Sequence, residues 1–124
     1  MNAYHSCTQH NLVLIFMEYM CDYLFNLKNN TNIILPNDEI KADWLAIPLI
    51  CKSNRKEVLI HLENNNVQTR VCFSGNITKH PVYKEFKKDF VNSDNIMAYG
   101  FLLGCHHGMT IEDVDYVCNL LNSF

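Results

Sequence analysis

"DWLAIPLICKSNRKEVLIHLENNNVQTRVCF", residues 43–73, decides the fold. Its opening "DWLAIPLICK" is a continuous apolar run with branched residues, the pattern of a buried strand ending near Cys51. The period then changes. Val58, Leu59 and Leu62 share one helical face, and Asn54 with Glu57 three positions on forms a capping box. The triple Asn at 64–66 closes that helix, because Asn tolerates left-handed backbone. "VQTRVCF" alternates as a second strand. A helix flanked by two strands is the core of an α/β layer.

Upstream, residues 10–27 repeat Leu12, Ile15, Phe16, Tyr19, Tyr23, Leu24 and Leu27 at three- and four-residue spacing, an amphipathic helix. "KNNTN" breaks it, and "ILPNDEIKAD" reads as a loop around Pro36. Downstream, 74–91 is loop with a short helical piece in which Pro81 suits a first helical position. "NSDNIMAY" is a short helix and "GFLLGC" a third strand. "TIEDVDYVCNLLNSF" is the clearest helix: Thr110 with Asp113 caps it, and Ile111, Val114, Val117 and Leu121 make its buried face. The expectation is a single small α/β (α+β) domain of about three strands packed with helices, without repeats or low-complexity tracts.

The bulk properties agree. The 124 residues are 48% hydrophobic and 19% charged, enough for one modest core and no second domain. The formal charge of −3, with "KEFKKDF" the one basic block, argues against a nucleic-acid partner. "LVLIFM" at 12–17 is far short of a membrane span. Its all-round apolar character instead suggests self-association, as a homodimer or larger assembly. The six cysteines (Cys7, Cys21, Cys51, Cys72, Cys105, Cys118) show no C-x-x-C pair. With no signal peptide, they read as the reduced thiols of a cytoplasmic protein. Asn76-Ile77-Thr78 fits the glycosylation pattern, which means little without secretion. Met1 reads as an ordinary start.

Two stretches carry candidate chemistry. In "TRVCFSGNITKHPVY", residues 69–83, Gly75-Asn76 marks a tight turn. Arg70 suits a phosphate or carboxylate, and Pro81 holds His80 extended. On the residues alone, Arg70 serves equally in a surface ion pair and the loop as a mere connection. "GCHHGM", 104–109, sets His106 and His107 between glycines at a strand end, a common place for ligand contacts or a helix entry. Cys105, His106 and His107, with Cys72 and His80 nearby, hold zinc-ligand types. Successive strand residues point to opposite faces, however, so no metal site is assigned. No local signature marks a nucleophilic thiol.

From about Leu35 onward the chain resembles the C-terminal part of the DegT-type family of pyridoxal-phosphate-dependent nucleotide-sugar enzymes. The matching text is "LP", "ADWLAIPLICK", "VQTRVCFSGNITKHPVYKEF" and "NSDNIMAYGFLLGCHHGMTIEDVDYVC". The "FSGNIT" turn is similar to the deoxysugar 3-dehydratase branch. The resemblance implies the small C-terminal-type domain of fold-type I enzymes over 10–124, with 10–34 a leading helix and turn and 1–9 unmatched. It implies pyridoxal phosphate for the full-length family, held on a large domain that carries the Schiff-base Lys or its His replacement. None of the eight lysines here sits in a matching context, so the chain alone is expected to bind no cofactor and to be catalytically silent. A nucleotide-sugar substrate would then be met only with a large-domain partner. Arg70, Phe73, Asn76 and His80 match the loop that faces substrate, with His106 and His107 in a second matching loop. Two other readings stand beside it: a stand-alone nucleotide-sugar binding or regulatory module, and a small Cys/His metal-binding protein.

Overall fold

A computed structural model describes residues 10–37, 39 and 45–124, with side chains described from residue 18 onward. The expectations for residues 1–9 and for the apolar surface of Leu12 to Met17 lie outside the described side chains. Helix α1 (His10–Leu27) leads to strand β1 (Ile33–Ile34), strand β2 (Ala46–Cys51) and helix α2 (Arg55–Asn64). Strand β3 (Arg70–Val71), two short 3-10 turns, helix α3 (Val91–Tyr99), strand β4 (Gly100–Gly104) and helix α4 (Ile111–Asn122) complete the fold.

The sheet has four strands in the order β1-β2-β4-β3, every neighbouring pair antiparallel. The strand beyond the expected three is β1, whose two residues are too short to show a period. Its Ile33 and Ile34 pair with Cys51 and Ile50. That brevity explains Pro48 inside a central strand: β1 stops short of it, so that flank of β2 carries no ladder there. The strand expected over 67–73 shrinks to Arg70–Val71. The Val67 N–H turns back to Leu62 O at 3.0 Å, and the Phe73 N–H curls to Val71 O at 2.8 Å.

One face of the sheet carries the core. Ile47, Leu49, Cys51, Phe101, Leu103 and Cys105 alternate toward Tyr19, Tyr23 and Leu27 of α1 and Val114, Val117, Cys118 and Leu121 of α4. α1 and α4 pack on each other, and α2 on α4. Thr110 accepts from the Asp113 N–H, and Asp113 answers by accepting from the Thr110 N–H at 2.8 Å, so the expected capping box stands. Two details differ from expectation. Ile111 is exposed, and the buried stripe continues through Cys118 instead. Asn54 makes no side-chain cap, because it enters α2 in left-handed backbone (φ 51°) where an N-cap bond needs an extended one. The helix closes as expected, with Asn66 left-handed at φ 61°.

α3 lies across the other face, with Ser93 and Ile96 near Pro48, Ile50 and Leu102. Arg55 pins its end: the guanidinium donates to Met97 O at 3.0 Å and Gly100 O at 2.9 Å, a cation on the last carbonyls of a helix. Gly100 is needed at this junction, since a Cβ there would sit 2.6 Å from Ile96 O.

Candidate functional site

Two grooves open at the margins of the sheet, and Leu102 lines both. The first, about 650 Å³, lies where β4 ends and β2 and β3 begin. Arg70 and His106 line it together with Asn66, Gln68 and Tyr116. The Arg70 side chain takes no part in an ion pair or hydrogen bond among the described residues; both ion pairs there belong to Lys79. The surface ion pair open to Arg70 in the sequence is therefore absent among the described residues. His106 accepts the Gly108 N–H on Nδ1 at 3.1 Å, which places the proton of the neutral ring on Nε2. That nitrogen lies against Gly104. His107 is exposed, its ring edge-on to that of His106 at 6.4 Å between centroids.

The second groove, about 420 Å³, is apolar: Ile34, Pro48, Ile50, Ile96 and Leu102 line it with Phe73 at its mouth. Phe73 combines two unusual properties. It is 88% exposed, and its backbone is left-handed at φ 51°, a conformation that costs a bulky residue about 1–2 kcal/mol. A strained residue that presents an aromatic ring to solvent marks a place shaped for contact.

Behind Phe73 the loop is locked from inside. Gly75 turns at φ 58° with no room for a side chain, since a Cβ would meet that of Met97 at 2.5 Å. Asn76, expected to face a ligand, is only 2% exposed. Its amide donates to Lys88 O at 2.8 Å and Asp94 Oδ1 at 2.7 Å, and its oxygen accepts from the Thr78 N–H and hydroxyl. All its capacity is engaged within the chain. Asp94 gathers the network: the Asn76 amide chiefly, with Lys79 and the Phe90 N–H, holds its carboxyl below the ordinary 3.8 against a smaller opposing effect of burial. His80 donates from Nε2 to Ser74 O at 2.8 Å, which closes the loop and leaves Nδ1 outward.

The six expected residues thus separate. Arg70 and His106 share the polar groove, Phe73 stands at the apolar one, and His80 and Asn76 shape the loop between the sheet and α3. Sequence reasoning missed Asp94 and Arg55, whose partners lie 18 and 42 residues away and left no local signal. Among the described residues no three His, Cys, Asp or Glu side chains converge on a metal position. Burial pushes the Cys51 and Cys105 thiols up to about 11 and that of Cys118 to about 12, so none is a nucleophile near neutrality. No described helix is long and apolar enough to cross a membrane.

The fold is similar to that of solved sugar aminotransferases and dehydratases. A GDP-4-keto-6-deoxymannose-3-dehydratase with a trapped PLP-glutamate geminal diamine superposes at TM-score 0.79 and 16% identity, over 90% of this chain and 31% of that one. The sugar aminotransferase CalS13 of Micromonospora echinospora gives TM-score 0.81 at 16% identity, over 92% and 31%. Residues 16–122 match the DegT/DnrJ/EryC1/StrS aminotransferase family, and the chain belongs to that family. The lipopolysaccharide biosynthesis protein RfbH of Salmonella typhimurium is 31% identical over 100 residues, 73% of this chain and 23% of that protein. A dTDP-4-dehydro-2,6-dideoxy-D-glucose 3-dehydratase of Saccharopolyspora spinosa is 32% identical over 74 residues, 56% of this chain and 16% of that protein. The chain spans less than a quarter of these curated relatives.

The family's cofactor needs a lysine amine, or its replacement, in an enclosed site with a cradle for phosphate. Neither groove is lined by a lysine. Each of the described lysines is exposed, and Lys79 is held by Asp89 and Asp94 at 3.0 Å each.

Proposed function

We propose that these 124 residues act as the substrate-covering small domain of a pyridoxal-phosphate-dependent nucleotide-sugar aminotransferase or 3-dehydratase. The observation that carries this reading is the family match over residues 16–122, joined to two grooves at the margins of the sheet. The domain is 10–124, and the reacting groups and cofactor lie on a large domain that these residues do not supply. Without it the chain is catalytically silent, and it works in the cytoplasm, where nucleotide sugars are made.

In this role Arg70 and His106 face the polar part of the substrate and Phe73 covers an apolar part. His80 and His107 stand at the rims, and Asn76 holds the loop that presents them. The side of the apolar groove, with Ile34 45% and Phe73 88% exposed, is the side that a large domain or a second copy covers.

The test has two arms. The chain is mixed with pyridoxal phosphate, reduced with borohydride and mapped. Scattered, substoichiometric labelling is expected, and a stoichiometric adduct on one lysine would overturn the division of labour. In the second arm a large domain of the Salmonella relative, lacking its matching segment, is supplied in trans with nucleotide sugars. Spectral change of the cofactor that needs both chains is the expected result. No such dependence with any nucleotide sugar, despite a folded large domain, would refute the covering role.

A further inference from the structure

We infer that residues 74–99 form one arm that swings as a unit over the apolar groove, pivoting at the end that Arg55 holds. The inference rests on this chain's own contacts and is independent of the covering role.

The arm is braced from within. Asn76 ties Lys88 O to the Asp94 carboxylate, and the Thr78 hydroxyl lies 3.0 Å from Lys88 O and accepts the Lys88 N–H at 3.2 Å. Lys79 joins Asp89 to Asp94 at 3.0 Å each, and Asp94 also accepts the Phe90 N–H at 3.0 Å. His80 closes back on Ser74 O. Gly75 lies so close to Met97 that a Cβ has no room, which seats the loop directly on α3. Loop and helix are thus one body.

The attachment of this body to the rest is sparse. α3 has no buried residue, and its Ile96 and Met97 are each 36% exposed. A firmly docked helix hides a stripe at three- and four-residue spacing, as α4 does with Val114, Val117, Cys118 and Leu121. Among the described residues, the side-chain hydrogen bonds that reach the arm from outside come from Arg55, to Met97 O with Gly100 O beside it. Those carbonyls lie at the last turn of α3. That end is held, while the first turn and the loop can move.

The groove is the space that such a swing changes. Ser74, Ser93 and Ile96 come from the arm, and Pro48, Ile50 and Leu102 from the sheet. Cys72 lies in the same lining, half-buried, with its Sγ 3.1 Å from where a Gly100 Cβ would stand. Burial pushes this thiol up, with Arg55 opposing, so its alkylation proceeds through the uncovered state. An arm that lifts exposes Cys72, and one that settles hides it. Units of this kind open with a free energy of their own, below that of the whole fold.

The experiment follows the whole chain by hydrogen exchange and by iodoacetamide labelling of Cys72. In Asn76→Ala, the Met97, Ala98 and Tyr99 amides of α3 should lose protection by the same factor as Lys79 and His80, about 30-fold. Cys72 should react faster by a like factor, although Asn76 does not touch it. Thr78→Val, a milder cut in the brace, should give a smaller factor that is again shared. Leu49 and Leu103 should keep wild-type exchange, and exposed Cys21 wild-type labelling. Faster exchange at Lys79 and His80 with unchanged α3 amides and Cys72 would overturn the arm, because the loop would then open alone. Acceleration that also reaches Leu49 and Leu103 in both variants would overturn it as well, because the arm would have no opening apart from that of the whole fold.

Discussion

Replacing Asn76 by Ala tests whether the presenting loop is held by a single buried amide. The side chain is 2% exposed and makes four hydrogen bonds within the chain. Truncation removes all four. Lys88 O keeps a partner in the Thr78 hydroxyl at 3.0 Å, whereas the Thr78 N–H loses its acceptor. At about 1 kcal/mol net for each hydrogen bond not replaced, the loss for the amide is roughly 2–3 kcal/mol. Residues 81–92 are exposed throughout, so the loss should appear as local opening of the loop rather than as collapse of the core. Hydrogen exchange is the assay. The Lys79 and His80 amides, bonded to Asn76 O and Ile77 O, should lose protection by about 30-fold or more, at tenfold per 1.4 kcal/mol. Leu49 and Leu103 in the sheet should be unaffected. Asn76→Asp should fare no better, since a carboxylate cannot donate to Lys88 O or Asp94. If Lys79 and His80 exchange within threefold of wild type in the Ala variant, the loop is held by something else.

Phe73→Gly should raise the melting stability by about 1 kcal/mol, because glycine accepts the left-handed backbone freely and an 88% exposed ring gives up little packing; a loss would show that the ring is held. Thr110→Ala should cost about 1 kcal/mol in denaturant unfolding through the broken capping box, and no change would mean that α4 is fixed by packing alone. Asp94, held below 3.8, contributes stability that is present above that pH and is lost as pH falls through its lower folded value. An Asp94→Asn variant should therefore flatten loop protection below pH 4, and a wild-type-like acid profile would count against the network. Iodoacetamide at pH 7.5 should modify exposed Cys21 in the native chain and spare Cys51 and Cys118 until it unfolds; early labelling of Cys118 would contradict its burial.

The long periodic segments were legible. α1 is bounded at 10 and 27 as its apolar spacing required, and the Thr110–Asp113 box opens α4. Failures came where non-local contacts override local pattern. β1 is two residues defined only by its pairing with Ile50 and Cys51, and nothing within "NIIL" sets it apart. Asn54 looked like a cap because composition cannot reveal a left-handed φ. The site residues share this division. Arg70 was visible as a type suited to an anion and His106 as a strand-end ligand contact, but their placement in one groove depends on the β3–β4 register. Asn76 stood out by its place in a turn, whereas the 18-residue reach to Asp94 that buries its side chain has no local signature.

The strand order has a consequence for how the chain is made. β2 obtains its main partner only when β4, some fifty residues later, is available, and α1 packs on α4. The Tyr19 hydroxyl reaches Met109 O across 90 residues, and Asn30 reaches Leu121 O across 91. A nascent chain that has left the ribosome as far as Gly108 thus shows the apolar side of α1 without the helix that covers it. Contacts this distant in sequence delay ordering until the last turns emerge. Until then that apolar side is open to other chains, and a chain halted ahead of α4 holds all four strands but lacks the helix that completes the layer over them.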